Sequence, residues 1–391
     1  MLQRFFDLKP NQKTDWPSWP QYDNCEYKAI SRVIRSNQLF ADKEVRKFEE
    51  QYANYLGIKN CLALGNATQA LHLALASLDI GIGDEVLVTS YSWISTASCI
   101  LMQNAVPVFC DIEKESLGLC PKDLESKITA HTKAVIITHM FGYPAKIEQI
   151  VDICKKYRLL LIEDSSHAHG AEIKGKKVGT YGDISVFSLH QRKSLSVGDG
   201  GLLCTNNAVI AEKVYRLRSF GHNELSYNYR MTEFAGALGQ CGLAKLEKHN
   251  EIRQENAFYI AEKLSSSCKV KVRLPRKNEK GVFYAVLLDV LDSWENSQKE
   301  ISTLKKAGIP ICQTWAPLHR HPHFNPKSVP ARGLPWKHPN YTGKHRDTIY
   351  KDINLPVVDK YCPTKTLELY VHPPCEKNHL NVLIDFLEKS L

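Results

Sequence analysis

The residues of this chain best suited to chemistry are a few polar side chains placed just after apolar runs. Ser185-Val186-Phe187-Ser188-Leu189-His190-Gln191-Arg192 leads into Lys193, and Ser194-Leu195-Ser196-Val197-Gly198-Asp199-Gly200-Gly201 follows it. A lysine is ordinarily a solvated surface charge. Lys193 instead lies between a hydroxyl-bearing β-run and a glycine-rich turn that precedes a second apolar run, Leu202-Leu203-Cys204. A pocket there would desolvate the amine, lower its pKa and permit Schiff-base chemistry. Asp164 lies at the end of another apolar strand, Leu159-Leu160-Leu161-Ile162, just after Glu163. A carboxylate in that position can pair with a protonated pyridine nitrogen, or simply cap a helix. His167 and His169 follow it, at a spacing unlike that of a helical metal pair.

Two further segments complete the set. Gly65-Asn66-Ala67-Thr68-Gln69 joins a strand to a helix, and small or polar residues there leave backbone N–H groups open to a phosphate. It has neither the G-x-G-x-x-G spacing nor a Walker lysine, so neither a dinucleotide nor a nucleoside triphosphate is implied. Trp93, in Thr89-Ser90-Tyr91-Ser92-Trp93, follows a strand and offers a ring to stack on a planar group. The chain order is phosphate turn, ring, carboxylate, lysine.

The elements that must position these residues are legible as alternating runs. Residues 61–64, 85–88, 106–109, 134–137 and 159–162 read as strands, and 68–78 and 147–157 as helices with apolar residues at helical spacing. Strands apolar throughout and separated by helices imply an α/β fold with a parallel sheet covered on both faces. Ligands on such sheets sit beyond the carboxyl ends of the strands, where each candidate falls. Helices over 208–218 and 232–264 follow, then a strand at 283–289, a helix at 297–307 and a terminal helix at 376–391. Residues 316–341, rich in Pro and His, read as a long loop. The expected division is a large domain, 1–250, and a small α+β domain, 251–391.

Composition narrows the function classes. With 43% apolar and 24% charged residues the chain is an ordinary globular one. The formal charge of +9 is spread along the sequence without a basic arm, which argues against nucleic acid and fits an anionic substrate. Residues 1–11 carry no apolar signal core, and no apolar run reaches membrane length, so a cytoplasmic protein is expected. The 12 cysteines include no C-x-x-C pair, which predicts buried or idle thiols rather than a zinc site or disulfide framework.

These words in this order resemble the sugar and aminocyclitol aminotransferases of pyridoxal-phosphate fold type I. The match includes Asn66 to Leu71, Pro107-Val108-Phe109-Cys110-Asp111, Glu163-Asp164 through His169-Gly170-Ala171, and Gly182-Asp183-Ile184-Ser185-Val186-Phe187-Ser188. It continues through Lys193 with its glycine turn and Tyr227-Asn228-Tyr229-Arg230-Met231-Thr232-Glu233, and spans nearly the whole chain from Trp16-Pro17-Ser18-Trp19-Pro20. The resemblance implies a seven-stranded-type sheet, pyridoxal 5′-phosphate carried on Lys193, Asp164 at its pyridine nitrogen, Trp93 stacked on it and His167 near its phenolic oxygen. It assigns the phosphate to Asn66, Ala67, Thr68 and Ser188. Asn228 matches an asparagine contributed to the neighbouring subunit's site, which implies a homodimer with shared active sites. His319, Tyr229 and Arg230 match positions near the substrate.

The implied reaction moves an amino group from L-glutamine or L-glutamate to a keto-sugar, nucleotide-linked in most relatives, or to a keto-cyclitol. The Trp16–Pro20 start looks like the inosose and aminoshikimate branch. Ala67 stands where glycine is usual, and Asp199 where glutamate is common. Arg192, directly before the lysine, has no account at this level. A side branch with histidine at the lysine position performs dehydration, and Lys193 argues against it. Other fold type I activities, a lyase or an aminoshikimate-type synthase, and a non-catalytic binding protein remain the alternatives.

Overall fold

A computed structural model describes residues 15–40, 42–221, 223–264, 269–291, 297–324, 335–362 and 365–390. The segment 1–11 and residues 325–334 of the Pro- and His-rich stretch lie outside the described residues. Two helices come first, α1 (Asn24–Ser36) and α2 (Lys43–Leu56). Asp23 and Glu26 cap α1 reciprocally, each side chain taking a backbone N–H that the helix start leaves open.

The α/β alternation follows: β1 (Asn60–Leu64), α3 (Ala67–Ser77), β2 (Glu85–Thr89), α4 (Ser95–Met102), β3 (Val106–Cys110), α5 (Pro121–Lys127), β4 (Thr132–Thr138), α6 (Ile147–Tyr157) and β5 (Leu160–Asp164). After a small hairpin, β6 (Glu172–Ile173) and β7 (Lys176–Lys177), come β8 (Ile184–Ser188), β9 (Gly201–Thr205), α7 (Ala208–Leu217) and α8 (Glu233–Lys263). Seven strands form one sheet in the order β1-β9-β8-β5-β4-β2-β3. From β8 to β3 the neighbours are parallel, as the apolar runs at 85–88, 106–109, 134–137 and 159–162 predict for all but β8, whose Ser185 and Ser188 break the pattern. β9 runs antiparallel to both β1 and β8. No helix separates β8 from β9, so the chain returns directly, and that return carries Lys193.

Side chains of successive strand residues go to opposite faces. Val86 and Val88 join the cluster under α3, α4 and α7, while Leu87 joins the one under α5 and α6. Phe187 and Leu202 pack with Phe48 and Tyr52 of α2 and with Leu246 of α8.

The C-terminal part comprises β10 (Val270–Val272), β11 (Glu279–Lys280), β12 (Val286–Val290), α9 (Ser297–Lys306), β13 (Ile311–Gln313), α10 (Pro356–Tyr361), β14 (Thr366–Leu369) and α11 (Lys377–Ser390). Its sheet has the order β10-β12-β14-β13, with every pair antiparallel. α8 is continuous through residue 250 and touches the first sheet's helices as well as β10 and α11. The strand expected at 283–289 starts at Val286 instead. Val282 N–H is taken by the Gly142 carbonyl and Phe283 adopts φ 47°, so this stretch belongs to the turn at 141–142 before the strand begins.

One expectation is corrected here. Cys25 of α1 and Cys241 of α8 are joined in a disulfide, although all thiols were expected to be buried or idle. The two lie 216 residues apart in sequence, and only the packing of α1 on α8 brings them together. No helix among the described residues is long and apolar enough to cross a membrane.

Candidate active site

The parallel strands end around a cavity of about 640 Å³. Its wall takes residues from the carboxyl end of strand after strand: Asn66, Ala67 and Thr68 after β1; Ser92, Trp93 and Thr96 after β2; Asp164 and His167 at β5; Ser188 and Lys193 at β8. Of the expected site residues, Asn66, Ala67, Thr68, Trp93, Asp164, His167, Ser188 and Lys193 all converge on it.

Asn66 is the N-cap of α3, its side-chain oxygen accepting from Gln69 N–H at 3.0 Å. This leaves the first-turn amides of Ala67 and Thr68 at the cavity, with the positive end of the helix dipole behind them. Gly201 runs directly beneath this turn. A Cβ there would collide with the backbone of Asn66 and Ala67, so only glycine lets β9 pass so close. The Thr68 and Ser95 hydroxyls meet at 2.7 Å on the same rim.

Asp164 is buried, with a carboxylate oxygen accepting from Thr96 Oγ1 at 2.7 Å and the other from Ser166 N–H at 3.2 Å. The Thr96 hydroxyl meets Ser92 Oγ at 2.7 Å, and Ser92 accepts from Thr138 Oγ1 at 3.1 Å. This three-hydroxyl chain aims a donated proton at the carboxylate and fixes its orientation. The sequence reading missed Thr96, Ser92 and Thr138. A hydroxyl in a helix or strand is too common a feature to single out.

Lys193 is held by its loop. Its N–H donates to His190 carbonyl at 2.8 Å, and its own carbonyl accepts from Trp19 Nε1 at 2.9 Å. Trp19 in turn lies over the buried Arg253 guanidinium at 4.9 Å, so the Trp-Pro-Ser-Trp-Pro segment locks the lysine loop from outside. Lys193 Nζ sits 4.7 Å above the Tyr284 ring. Among the described residues no carboxylate comes within ion-pair distance of it. Burial draws the amine from 10.5 down to about 7, with Asp164 and Glu368 resisting.

His167 is stacked on Tyr284 at 4.2 Å between ring centres, 15° from parallel. Its Nδ1 accepts from Phe141 N–H at 3.3 Å, which leaves the proton on Nε2. Burial, and then the Lys193 charge, hold the ring well below its ordinary pKa, so it is neutral. His169 is a structural residue: Nδ1 meets Tyr52 Oη at 2.9 Å and Nε2 meets Ser188 carbonyl at 2.9 Å. Trp93 is 58% exposed, with an edge contact to Trp315, so its face is open to a bound ring.

The remaining expected residues lie elsewhere. His319 is buried behind the cavity wall against Phe109, 3.3 Å from Asp359. Asn228 is exposed and accepts from Arg230 Nε at 3.1 Å. Tyr229 bonds through its hydroxyl to His72 at 3.1 Å, while its carbonyl takes Gly65 N–H at 2.9 Å, beside the α3 turn. The Arg230 guanidinium lies between the rings of Phe40 and Phe220. Tyr284, Cys312, Gln313, Trp315, Glu368 and Tyr370, from the C-terminal part, line the cavity without having been expected there. Arg192 lines it too, and also borders an adjoining cavity of about 610 Å³ that includes Trp16, Trp19 and Lys305.

The chain has counterparts among known enzymes over most of its length. The chain is 31% identical over 353 residues to L-glutamine:2-deoxy-scyllo-inosose aminotransferase of Streptomyces kanamyceticus, covering 82% of each chain. It is 30% identical over 380 residues to GDP-perosamine synthase of Vibrio cholerae, covering 93% of this chain and 98% of the other. The solved aminotransferase of Psychrobacter cryohalolentis superposes with a TM-score of 0.84 at 25% identity, over 96% of this chain and 98% of that one. Residues 20–342 match one family throughout, and the chain belongs to it: the DegT/DnrJ/EryC1/StrS aminotransferases.

Proposed function

We propose that this aminotransferase uses pyridoxal 5′-phosphate, held on Lys193, to move an amino group from L-glutamine or L-glutamate to a keto-sugar or keto-cyclitol. The observation that carries this reading is the meeting of Lys193, Asp164 and the α3 N-terminus on one cavity. The donor set suits the cofactor: an amine with a lowered pKa for the aldehyde, a buried carboxylate for the pyridine nitrogen, and helix amides with Ser188 and Thr68 for the phosphate. When bound, the cofactor supplies an aldehyde carbon for amines and a ring that withdraws electrons from the adjacent substrate carbon.

This chain's residues do the rest. The Lys193 amine, near neutrality at physiological pH, takes a proton from the donor's α-carbon and returns one on the other side of the exchange. Asp164 would present its carboxylate to the ring nitrogen, and the Thr96 hydroxyl, donating to it at 2.7 Å, keeps it from turning away. Trp93 and neutral His167 fix the ring plane and its oxygen edge. Holding one amine against two carbons adds to the rate through effective concentration.

The relatives' names bracket the substrates: one pairs L-glutamine with 2-deoxy-scyllo-inosose, and the other forms GDP-perosamine. The adjoining cavity, with Arg192 and Lys305 beside the Trp16 and Trp19 rings, favours an acceptor with an anionic nucleotide extension. The test uses the cofactor's own absorbance. L-glutamine or L-glutamate should shift it, and a nucleotide-linked keto-hexose or an inosose should shift it back. If no acceptor of either class restores the original spectrum, the reading fails.

Two structural proposals accompany it. Residues 1–250 act as the cofactor-holding unit and 251–391 as the smaller companion, with α8 crossing between them. The active form is a homodimer in which Asn228 reaches the neighbouring subunit's phosphate. Support comes from exposed apolar side chains around Asn228: Phe40, Phe220 and the 99% exposed Leu225. A Phe220→Asp, Leu225→Asp double variant should sediment as a monomer and lose cofactor roughly 10-fold more readily, since charges would replace apolar interface contacts. A variant that stays dimeric would remove this patch from the interface.

A further inference from the structure

The amino-group chemistry leaves part of the cavity wall unexplained. Glu368 on β14 and Tyr370 just after it line the cavity, while Leu367 and Leu369 enter the apolar core against which the Tyr370 ring also packs. Glu368 is 1% exposed. One of its oxygens accepts from Tyr370 Oη at 2.6 Å, and the other, Oε1, has no partner. A strand whose neighbours are leucines has no packing need for a carboxyl, and a buried oxygen without a hydrogen bond is costly. Burial lifts this carboxyl to about 7, against the pull of Tyr370 and Lys193. Burial and the neighbouring Tyr284 and Glu368 push the Tyr370 hydroxyl far upward, so it stays protonated. Its single proton is committed to Glu368, and its lone pairs remain to accept. Tyr370 borders both the Lys193 cavity and the adjoining one, where a ring joined to an extension would lie.

We propose that Tyr370 and Glu368 form the acceptor-recognising element of this enzyme, in which Tyr370 Oη accepts a hydrogen bond from a ring hydroxyl of the keto substrate and Glu368 positions it. This rests on the function proposed above and adds the residues that select the acceptor. An amino-acid donor has no ring hydroxyl to offer, so the pair discriminates between the two halves of the reaction. Glu368 is a positioning residue, acting through Tyr370, while its vacant Oε1 takes a second hydroxyl or a water brought in with the substrate.

The two halves can be measured separately on the cofactor-loaded dimer. With L-glutamine or L-glutamate alone, Tyr370→Phe, which leaves the Glu368 charge beside Lys193 in place, should change the rate and KM of the donor-driven absorbance shift by no more than about twofold. With the keto acceptor, Tyr370→Phe should raise the half-saturating concentration roughly 10-fold, the effect of one lost hydrogen bond. Glu368→Leu should match or exceed it, and Glu368→Gln, whose amide oxygen still accepts from Tyr370, should recover most of the loss. Equal damage to both halves, or no change in acceptor saturation, would overturn the proposal even though the wild-type enzyme cycles. A wild-type enzyme that does not cycle at all would remove the proposed function and this element with it. Thermal melts of Tyr370→Phe, an almost isosteric change, separate a folding defect from loss of recognition.

Discussion

Lys193→Ala is expected to abolish the borohydride-reducible yellow absorbance of the loaded protein and to lower turnover by at least about 10⁴-fold, the upper range for a positioned acid–base group. No other amine can stand in for it. Arg192 beside it carries a guanidinium rather than a primary amine, and among the described residues lining the cavity there is no second lysine. The same variant has a stability signature with a definite sign. Burial lowers the Lys193 amine to about 7 in the folded apoprotein, whereas in the unfolded chain it stays near 10.5. Between these values the unfolded state binds more protons, so the wild-type apoprotein gains stability as pH rises through that window. The penalty of a buried ammonium is fully present below about 7. Lys193→Ala lacks it, so the variant's melting temperature relative to wild type should be highest near pH 6 and fall toward about pH 10. A flat difference across that range would mean that the amine is solvated. An unchanged spectrum would dismiss it as the cofactor's anchor.

The sequence carried the first half of the fold because burial on both faces leaves the middle of a parallel strand mostly apolar. β2, β3 and β5 therefore stand out as runs, and α6 was readable residue for residue from its helical spacing. The candidate residues at the strand ends followed from the same logic, since the carboxyl edge of a parallel sheet is where side chains can meet without belonging to the core. What could not be read depends on contacts between distant segments. Nothing in Trp19 announces that its indole holds the carbonyl of Lys193, 174 residues later. Cys25 and Cys241 carry no spacing signal, because they are 216 residues apart and only the packing of α1 on α8 brings them together. Glu368 was hidden by its surroundings: Thr-Leu-Glu-Leu-Tyr alternates apolar and polar residues, which ordinarily describes a strand with one face in water. Here that face meets an enclosed cavity. Arg192 gained a physical place in the same way, as a charge at the border of two cavities that the chain's linear order does not show to adjoin.

Asp164→Asn is the second substitution expected to be severe, by roughly 10²- to 10³-fold in the proton-transfer step, the scale of breaking a buried charge pair from one side. The amide keeps the carboxylate's shape. One oxygen remains to accept from Thr96 Oγ1, now at 2.7 Å, and the rest of the hydroxyl chain through Ser92 and Thr138 is untouched. What disappears is the negative charge, and with it the preference for a protonated pyridine nitrogen. A bound cofactor would then withdraw less electron density from the reacting carbon, and the Lys193 amine would have a less acidic proton to remove. Because Lys193 is intact, the variant should still bind the cofactor and turn yellow, which separates this defect from that of Lys193→Ala. Thr96→Val supplies the graded control: the charge stays but loses its strongest hydrogen bond, so a loss of about 10-fold is expected. The order of effects, Asn far below Val and Val below wild type, distinguishes a carboxylate acting by charge from one acting only as a hydrogen-bond acceptor. If Asp164→Asn kept the wild-type rate of proton removal from L-glutamine or L-glutamate, Asp164 would be a structural residue at the end of β5, and the electron-withdrawing role would have to be sought in another group.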